Sequence, residues 1–178
     1  MQLEELELRE IRIPLKHRFE TSSQVTTCRR VILVRVFDES GAAGHGECVA
    51  AEDPFYSHEC TDTAWLIICG FVAPLLAEAG VTQAVDTNSA LGPIRGNSMA
   101  KGAVEAAIWD LEARLAGRPL WQHICGVRPE IDCGVSNGIQ RGAETLLDRI
   151  PDISCWGGDG WACKLSTRDR SIRRPIWR

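Results

Sequence analysis

Three groups of residues in this 178-residue chain are of types that could do chemistry. The first is a set of eight cysteines, at positions 28, 48, 60, 69, 125, 133, 155 and 163. Zinc-binding thiolates usually come as C-x-x-C pairs, and no such pair occurs. The start, Met1-Gln2-Leu3-Glu4-Glu5, is acidic, so the expectation is a cytoplasmic chain without a secretory leader. Free thiols acting as small buried hydrophobes are then expected rather than disulfides. The second group is His45 and Glu47, two apart on one strand face, as two metal ligands would be. No third ligand stands near them, and a pair at a hairpin edge accounts for both. His17, His58 and His123 are scattered and are assigned no role. The third group is basic: Lys164, Arg168, Arg170, Arg173, Arg174 and Arg178. Set against Asp152, Asp159 and Asp169, they leave residues 151–178 at +3, and residues 1–150 carry the −7 that completes the net charge of −4. A short basic tail on an acidic body does not suit a nucleic-acid partner, and none is expected.

These residues must be held by elements. With 44% apolar and 25% charged residues, the composition is that of a soluble globular chain. The length suggests one domain and a piece of a second. The longest apolar run, Ala64–Gly70, falls far short of the ~20 residues a membrane span requires, so no membrane partner is expected. Residues 3–13 are expected as a strand. Leu6 and Leu8 alternate on one parity, Ile11 and Ile13 on the other, which predicts a bulge or twist at Arg9-Glu10 and an end at Pro14. Residues 15–27 are expected as a polar loop, 29–37 as a β-branched strand, 38–41 as a turn and 44–49 as a returning strand. Ser57 is a candidate N-cap for a helix over 63–77 that Pro74 should kink or split. Asn97-Ser98 can cap a longer helix, 98–116. Its apolar face would be Ala100, Val104, Ala107, Ile108, Leu111 and Leu115, with Lys101–Glu105 and Asp110–Arg114 as i,i+4 pairs, and Gly117 is its stop. Strands followed by helices predict an α+β fold, a three-stranded antiparallel meander packed on a helical bundle.

Several segments recur together in a known family. They are Leu15-Lys16-His17-Arg18-Phe19-Glu20-Thr21-Ser22, Gly44-His45-Gly46-Glu47-Cys48, Glu52-Asp53-Pro54-Phe55-Tyr56-Ser57, Gly96-Asn97-Ser98-Met99-Ala100-Lys101, Trp109-Asp110-Leu111-Glu112, Gly117-Arg118-Pro119-Leu120-Trp121 and Gly134-Val135-Ser136-Asn137-Gly138-Ile139-Gln140. Over about residues 1–150 the chain resembles the amino-terminal part of the enolase superfamily, muconate-lactonizing subgroup, and within it the o-succinylbenzoate synthases and N-acylamino-acid racemases. The resemblance implies an enolase-type capping domain followed by a (β/α)-barrel. In the full-length family a Mg²⁺ ion held by three barrel carboxylates stabilises an enediolate, formed when a lysine removes a proton α to the carboxylate of a small substrate.

The resemblance also implies a division of this chain. Residues 1–123 would be the capping domain. Residues 124–150 would be a linker, the first barrel strand (131–139) and the following helix. Residues 151–178 lose apolar periodicity and crowd Trp156, Trp161 and Trp177, so an irregular tail, non-native or disordered, is expected there. A barrel needs roughly 200 residues or more, so it is largely missing. Where relatives carry Lys-x-Lys this chain has Ala162-Cys163-Lys164-Leu165-Ser166, leaving Lys164 as the catalytic candidate. Phe19, Thr21 and Ser22 in a first specificity loop, Tyr56 in a second, and Ser136 at the end of the first barrel strand are the substrate-binding candidates. No metal ligand is assigned and no Mg²⁺ is expected to bind this chain alone; a homo-oligomer is left open. The implied function is that of an amino-terminal fragment, inactive by itself. The alternative is a stand-alone interaction or binding module derived from the cap.

Overall fold

The computed structural model describes residues 1–22, 24–128 and 139, together with the backbone of 166–175. Three strands form the expected meander: β1 (Leu3–Glu20), β2 (Val25–Asp38) and β3 (Ala43–Cys48). A fourth, β4 (Ser166–Pro175), runs antiparallel to β1, giving the order β3-β2-β1-β4. This strand lies within the segment expected to be irregular. It is rich in charge and ends at Pro175, which an interior strand would not tolerate but an edge position does.

The polar segment 15–27 is strand except at its tip, between Glu20 and Val25. β1 and β2 continue as a two-stranded ribbon to Phe19–Thr26 and Glu20–Val25, with the register shift between Pro14 and Phe19. Polar composition misled here because, among the described residues, none of the ribbon's side chains is fully buried, so polar residues serve in it as well as apolar ones. The irregularity expected at Arg9-Glu10 is absent from the β1–β2 ladder, where pairing runs without a shift from Glu5–Phe37 to Pro14–Cys28, while the pairing of β1 with β4 shifts register between Glu10 and Arg12. The parity change has another cause. Leu6 and Leu8 point into the core; Glu10 and Arg12, next along the same face, enter an ionic cluster, while Ile11 is buried on the opposite face.

The β2–β3 turn is built on Asp38, whose carboxylate accepts from the Ser40 N–H (3.0 Å), the Ser40 hydroxyl (2.6 Å) and the Ala42 N–H (3.2 Å). Gly41 supplies the left-handed residue, at φ 80°.

One helical layer covers the inner face. α1 (Thr61–Ile67) passes through a π turn (Ile68–Val72) into α2 (Ala73–Ala79). Pro74 thus splits the helix as expected. It sits in the first turn of α2, where its missing N–H costs little, and the π turn absorbs the residue out of step. By length and composition Thr61–Ala79 could cross a membrane; here Ala64, Ile68, Val72 and Leu76 are buried in the core. A 3₁₀ turn (Ala84–Asp86) and the short α3 (Thr87–Ala90) lead to α4 (Ser98–Leu115) and α5 (Leu120–His123).

α4 buries Ala100, Val104, Ala107, Ile108 and Leu111 as expected, while Leu115 at its end is exposed. It lies on β3 with backbone against backbone. A Cβ on Gly44 would stand 2.1 Å from the Ala107 carbonyl oxygen, and one on Gly46 2.1 Å from that of Ala103. The glycines in Gly44-His45-Gly46 are therefore seats for the helix.

Of the two expected caps, one is replaced and the other keeps its position but not its side-chain bond. Cys60, not Ser57, is the N-cap of α1: its N–H donates to Thr63 Oγ1 at 2.9 Å, while Ser57 Oγ accepts from the Glu59 N–H. At α4, Asn97 is the N-cap residue, but its side chain donates to the Arg95 carbonyl. The capping anion comes from 40 residues upstream. Glu59, only 4% exposed, accepts from the N–H groups of Met99 (2.9 Å) and Ala100 (3.2 Å). A carboxylate there satisfies orphan donors and opposes the positive end of the helix dipole.

Candidate functional site

The candidate residues fall on two segments. The first is the tip of the β1–β2 ribbon. Phe19 is half-buried opposite Thr26, and the tip closes through Thr21: its N–H donates to the Gln24 carbonyl (2.9 Å), and its hydroxyl accepts from the Gln24 N–H (3.2 Å). Ser22 is exposed at the apex. The Thr21 hydroxyl is thus committed to turn geometry, while Ser22 presents its hydroxyl outward.

The second segment is the loop between β3 and α1. Its ends meet: Ala51 and Cys60 form an isolated parallel bridge and the Thr61 N–H donates to the Ala51 carbonyl at 2.8 Å. Both aromatic residues of the intervening loop stand out of the surface, Phe55 at 75% and Tyr56 at 79% exposure. The pinched loop thus carries two adjacent exposed rings.

Ser136 and Lys164 lie outside the described residues. The Ile139 N–H, three residues beyond Ser136, donates to the Glu20 carbonyl at 2.7 Å, between Phe19 and Thr21.

Sequence reasoning missed the ionic cluster at the root of both segments. Arg12 and Arg30 face each other across the β1–β2 register, an unfavourable like-charge pair unless anions intervene. The anions are Glu10, Glu52 and Asp62. Arg30 donates to both oxygens of Glu10 (Nε 2.8 Å, Nη2 3.0 Å) and to Asp62 (2.8 Å), with Glu52 at 3.9 Å; Arg12 pairs with Glu52. Hydrogen bonds to Glu10 first and Asp62 second hold the Arg30 guanidinium firmly in its charged form. The clue available in the sequence was the abrupt change from Leu6 and Leu8 to Glu10 and Arg12 along one strand face.

Among the described residues, no group of three or more His, Cys, Asp or Glu is placed to hold a metal. His45 does not pair with Glu47 as expected. Its backbone N–H and its Nδ1 both meet Asp110 Oδ2 of α4, at 2.9 and 3.4 Å, and Arg114 donates to the same oxygen at 2.7 Å. The expected Asp110–Arg114 pair is therefore present; Lys101 instead donates to the Ile94 carbonyl. Burial alone would raise the Asp110 pKa, but the Arg114 and His45 hydrogen bonds outweigh it and hold the carboxyl below the ordinary aspartate range. The stability it contributes is complete above that range and is lost as pH falls through the depressed pKa. An Asp110→Asn variant should consequently show a flatter loss of thermal stability on acidification than the parent, checked by melting curves at stepped pH; parallel acid limbs would count against the assignment.

His123 has a structural role, set edge-on to Trp109 (centroids 5.9 Å apart) and 3.4 Å from Glu112. Cys48 and Cys60 are buried free thiols as expected, and burial pushes the Cys48 thiol up; Cys125 is free but exposed. Cys133, Cys155 and Cys163 lie outside the described residues.

Comparison with known proteins agrees with this architecture. Residues 5–125 match the family model for the mandelate racemase / muconate lactonizing enzyme N-terminal domain. The chain is 42% identical over 147 residues to an N-succinylamino acid racemase from Thermus thermophilus, covering 83% of this chain and 40% of that protein. It is 40% identical over 143 residues to an o-succinylbenzoate synthase from Geobacillus kaustophilus, covering 80% and 38%. Among solved structures, an enolase-superfamily member from Listeria innocua superposes with a TM-score of 0.79 at 32% identity, over 88% of this chain and 42% of that one. The chain thus spans about two fifths of the length of these relatives. With the family model matching well over half its residues, across β1 to α5, this chain belongs to the enolase superfamily through its mandelate racemase / muconate lactonizing enzyme N-terminal domain.

Proposed function

We propose that this chain is the capping portion of a Mg²⁺-dependent enzyme that abstracts a proton α to the carboxylate of a small substrate, as an o-succinylbenzoate synthase or N-acylamino-acid racemase. The observation that carries this reading is the hydrogen bond from Ile139 to Glu20. That contact lies next to Phe19 on the ribbon, and in this reading Ile139 ends the first barrel strand, where side chains of such barrels face the reaction. The names of the relatives support the same chemistry.

In this reading the described residues do not perform the proton transfer. They bind and enclose. Phe19 and Tyr56 bring apolar surface over the substrate and exclude water, which strengthens every charge interaction beneath them. Ser22, and Thr21 through the turn it closes, shape the polar end of the pocket. Ser136 contributes a hydroxyl from the barrel side, and Lys164 is the candidate base. The described residues do not fit a Mg²⁺ site: no group of three is placed to hold a metal, and Glu10, Glu52 and Asp62 are engaged by the guanidiniums of Arg12 and Arg30; the ion would be held by a barrel, where it would offset charge on the enediolate.

Two measurements test this. The chain alone, supplied with Mg²⁺, should neither form o-succinylbenzoate nor racemise an N-succinylamino acid; turnover near ~10 per second, the median for enzymes, would refute the assignment. Residues 1–123 placed on the barrel of the Thermus racemase should support racemisation, and Tyr56→Ala in that chimera should raise KM. A folded, Mg²⁺-loaded chimera with no turnover would overturn the reading.

A further inference from the structure

The root cluster does more than neutralise charge. β3 pairs with β2 only as far as Ile32–Cys48, and β4 pairs with β1 only as far as Arg12–Ser166. Among the described residues no strand flanks the ribbon beyond Ile13 and Arg29, and only the Ile139 N–H reaches it, at the Glu20 carbonyl, so over this stretch it is a two-stranded arm. An isolated two-stranded ribbon holds its own direction poorly. Arg12 and Arg30 sit at the point where the arm leaves the sheet, and their anions come from the body. Glu52 stands one residue after Ala51, where the Phe55–Tyr56 loop is pinched shut, and Asp62 lies in the first turn of α1 just past its other end.

The pattern of donors suits a junction. Arg30 is 13% exposed on its side chain and reaches three carboxylates in three directions. A planar guanidinium can do this with fixed angles, whereas an ammonium could not. Glu10 belongs to the same sheet as Arg30 and fixes the guanidinium plane; Asp62 and Glu52 belong to the loop side and are the bonds that cross. Arg12 makes a second crossing bond to Glu52. These bonds tie the root of the arm to the two ends of the aromatic loop.

We infer that Arg30, with Arg12, Glu52 and Asp62, is a positioning clamp that fixes the β1–β2 arm and the Phe55–Tyr56 loop relative to each other, so that the two substrate-facing segments open and close as one unit. Its importance for catalysis rests on the proposed capping function; its existence does not.

Amide hydrogen exchange on the 178-residue chain, without substrate, tests the clamp separately from that function. Arg30→Met should speed exchange in both 16–29 and 51–60 by roughly tenfold, equivalent to about 1.4 kcal/mol of lost local stability, while the interior of α4 stays at the parent rate. Glu52→Gln is milder and keeps the test open if Arg30→Met fails to fold. Although it lies in the aromatic loop, it should speed exchange in the arm as well. Acceleration confined to 51–60 in Glu52→Gln would overturn the coupling. So would acceleration spread equally through α4 in Arg30→Met, the signature of a purely global stabiliser, and so would no change in either segment. Failure of the racemase chimera with the exchange coupling intact would leave the clamp standing and remove only its catalytic purpose.

Discussion

Gly44→Ala should be among the most damaging single-methyl additions in this protein. The new Cβ would stand 2.1 Å from the Ala107 carbonyl oxygen, 2.4 Å from the Leu111 amide nitrogen and 2.6 Å from the Leu111 Cβ. Two of those atoms are helix backbone, so no rotamer change relieves the clash and α4 must lift off β3. Adding a methylene to a packed core typically costs ~1–3 kcal/mol, and a rigid backbone obstacle places this change at or above the top of that range. Lifting α4 would also pull Asp110 from the β3 edge and Met99 from Glu59. Urea unfolding should show a lower midpoint with the slope little changed. Gly102→Ala, an exposed position on the same helix with no heavy atom within 4 Å of the new carbon, should instead stabilise by about 0.5–1 kcal/mol through helix propensity alone. Equal effects at the two positions would show that α4 is not seated on β3 as described.

Ile108→Ala should cost ~2–5 kcal/mol, the range for large-to-small changes in a core. Ile108 is fully buried, in a core that includes Val34 and Val36 of β2, Leu111 of α4 and Ile68 of the π turn. Deleting its side chain leaves a void between sheet and helices that neither rigid layer can close. A loss below about 0.5 kcal/mol, typical of surface substitutions, would mean the buried face of α4 is misassigned.

The two variants separate features of different legibility. The apolar face of α4 was readable because a 3.6-residue period is a local property, and the meander because β-branched runs and the Asp38–Gly41 turn are local as well. The aromatic loop and the ribbon tip could be singled out by resemblance, since their motifs recur in order along the family. None of this required knowing which distant residues meet.

What the sequence determined by itself, then, was the three-stranded meander, the two main helices that follow it and the family they belong to. Hydrophobic periodicity, turn chemistry and motif order are properties of neighbours along the chain. Only the tertiary structure decided the partners. Glu59 caps a helix that begins 39 residues later. Gly44 and Gly46 are glycines because a helix backbone more than 50 residues away lies against them. Glu10 and Arg12, which looked like a change of strand face, are in-register residues drawn into a cluster with Arg30, Glu52 and Asp62. A charged or small residue states what it can bind or admit but not what it will meet. Burial penalties and close packing settle that only once the layers are assembled.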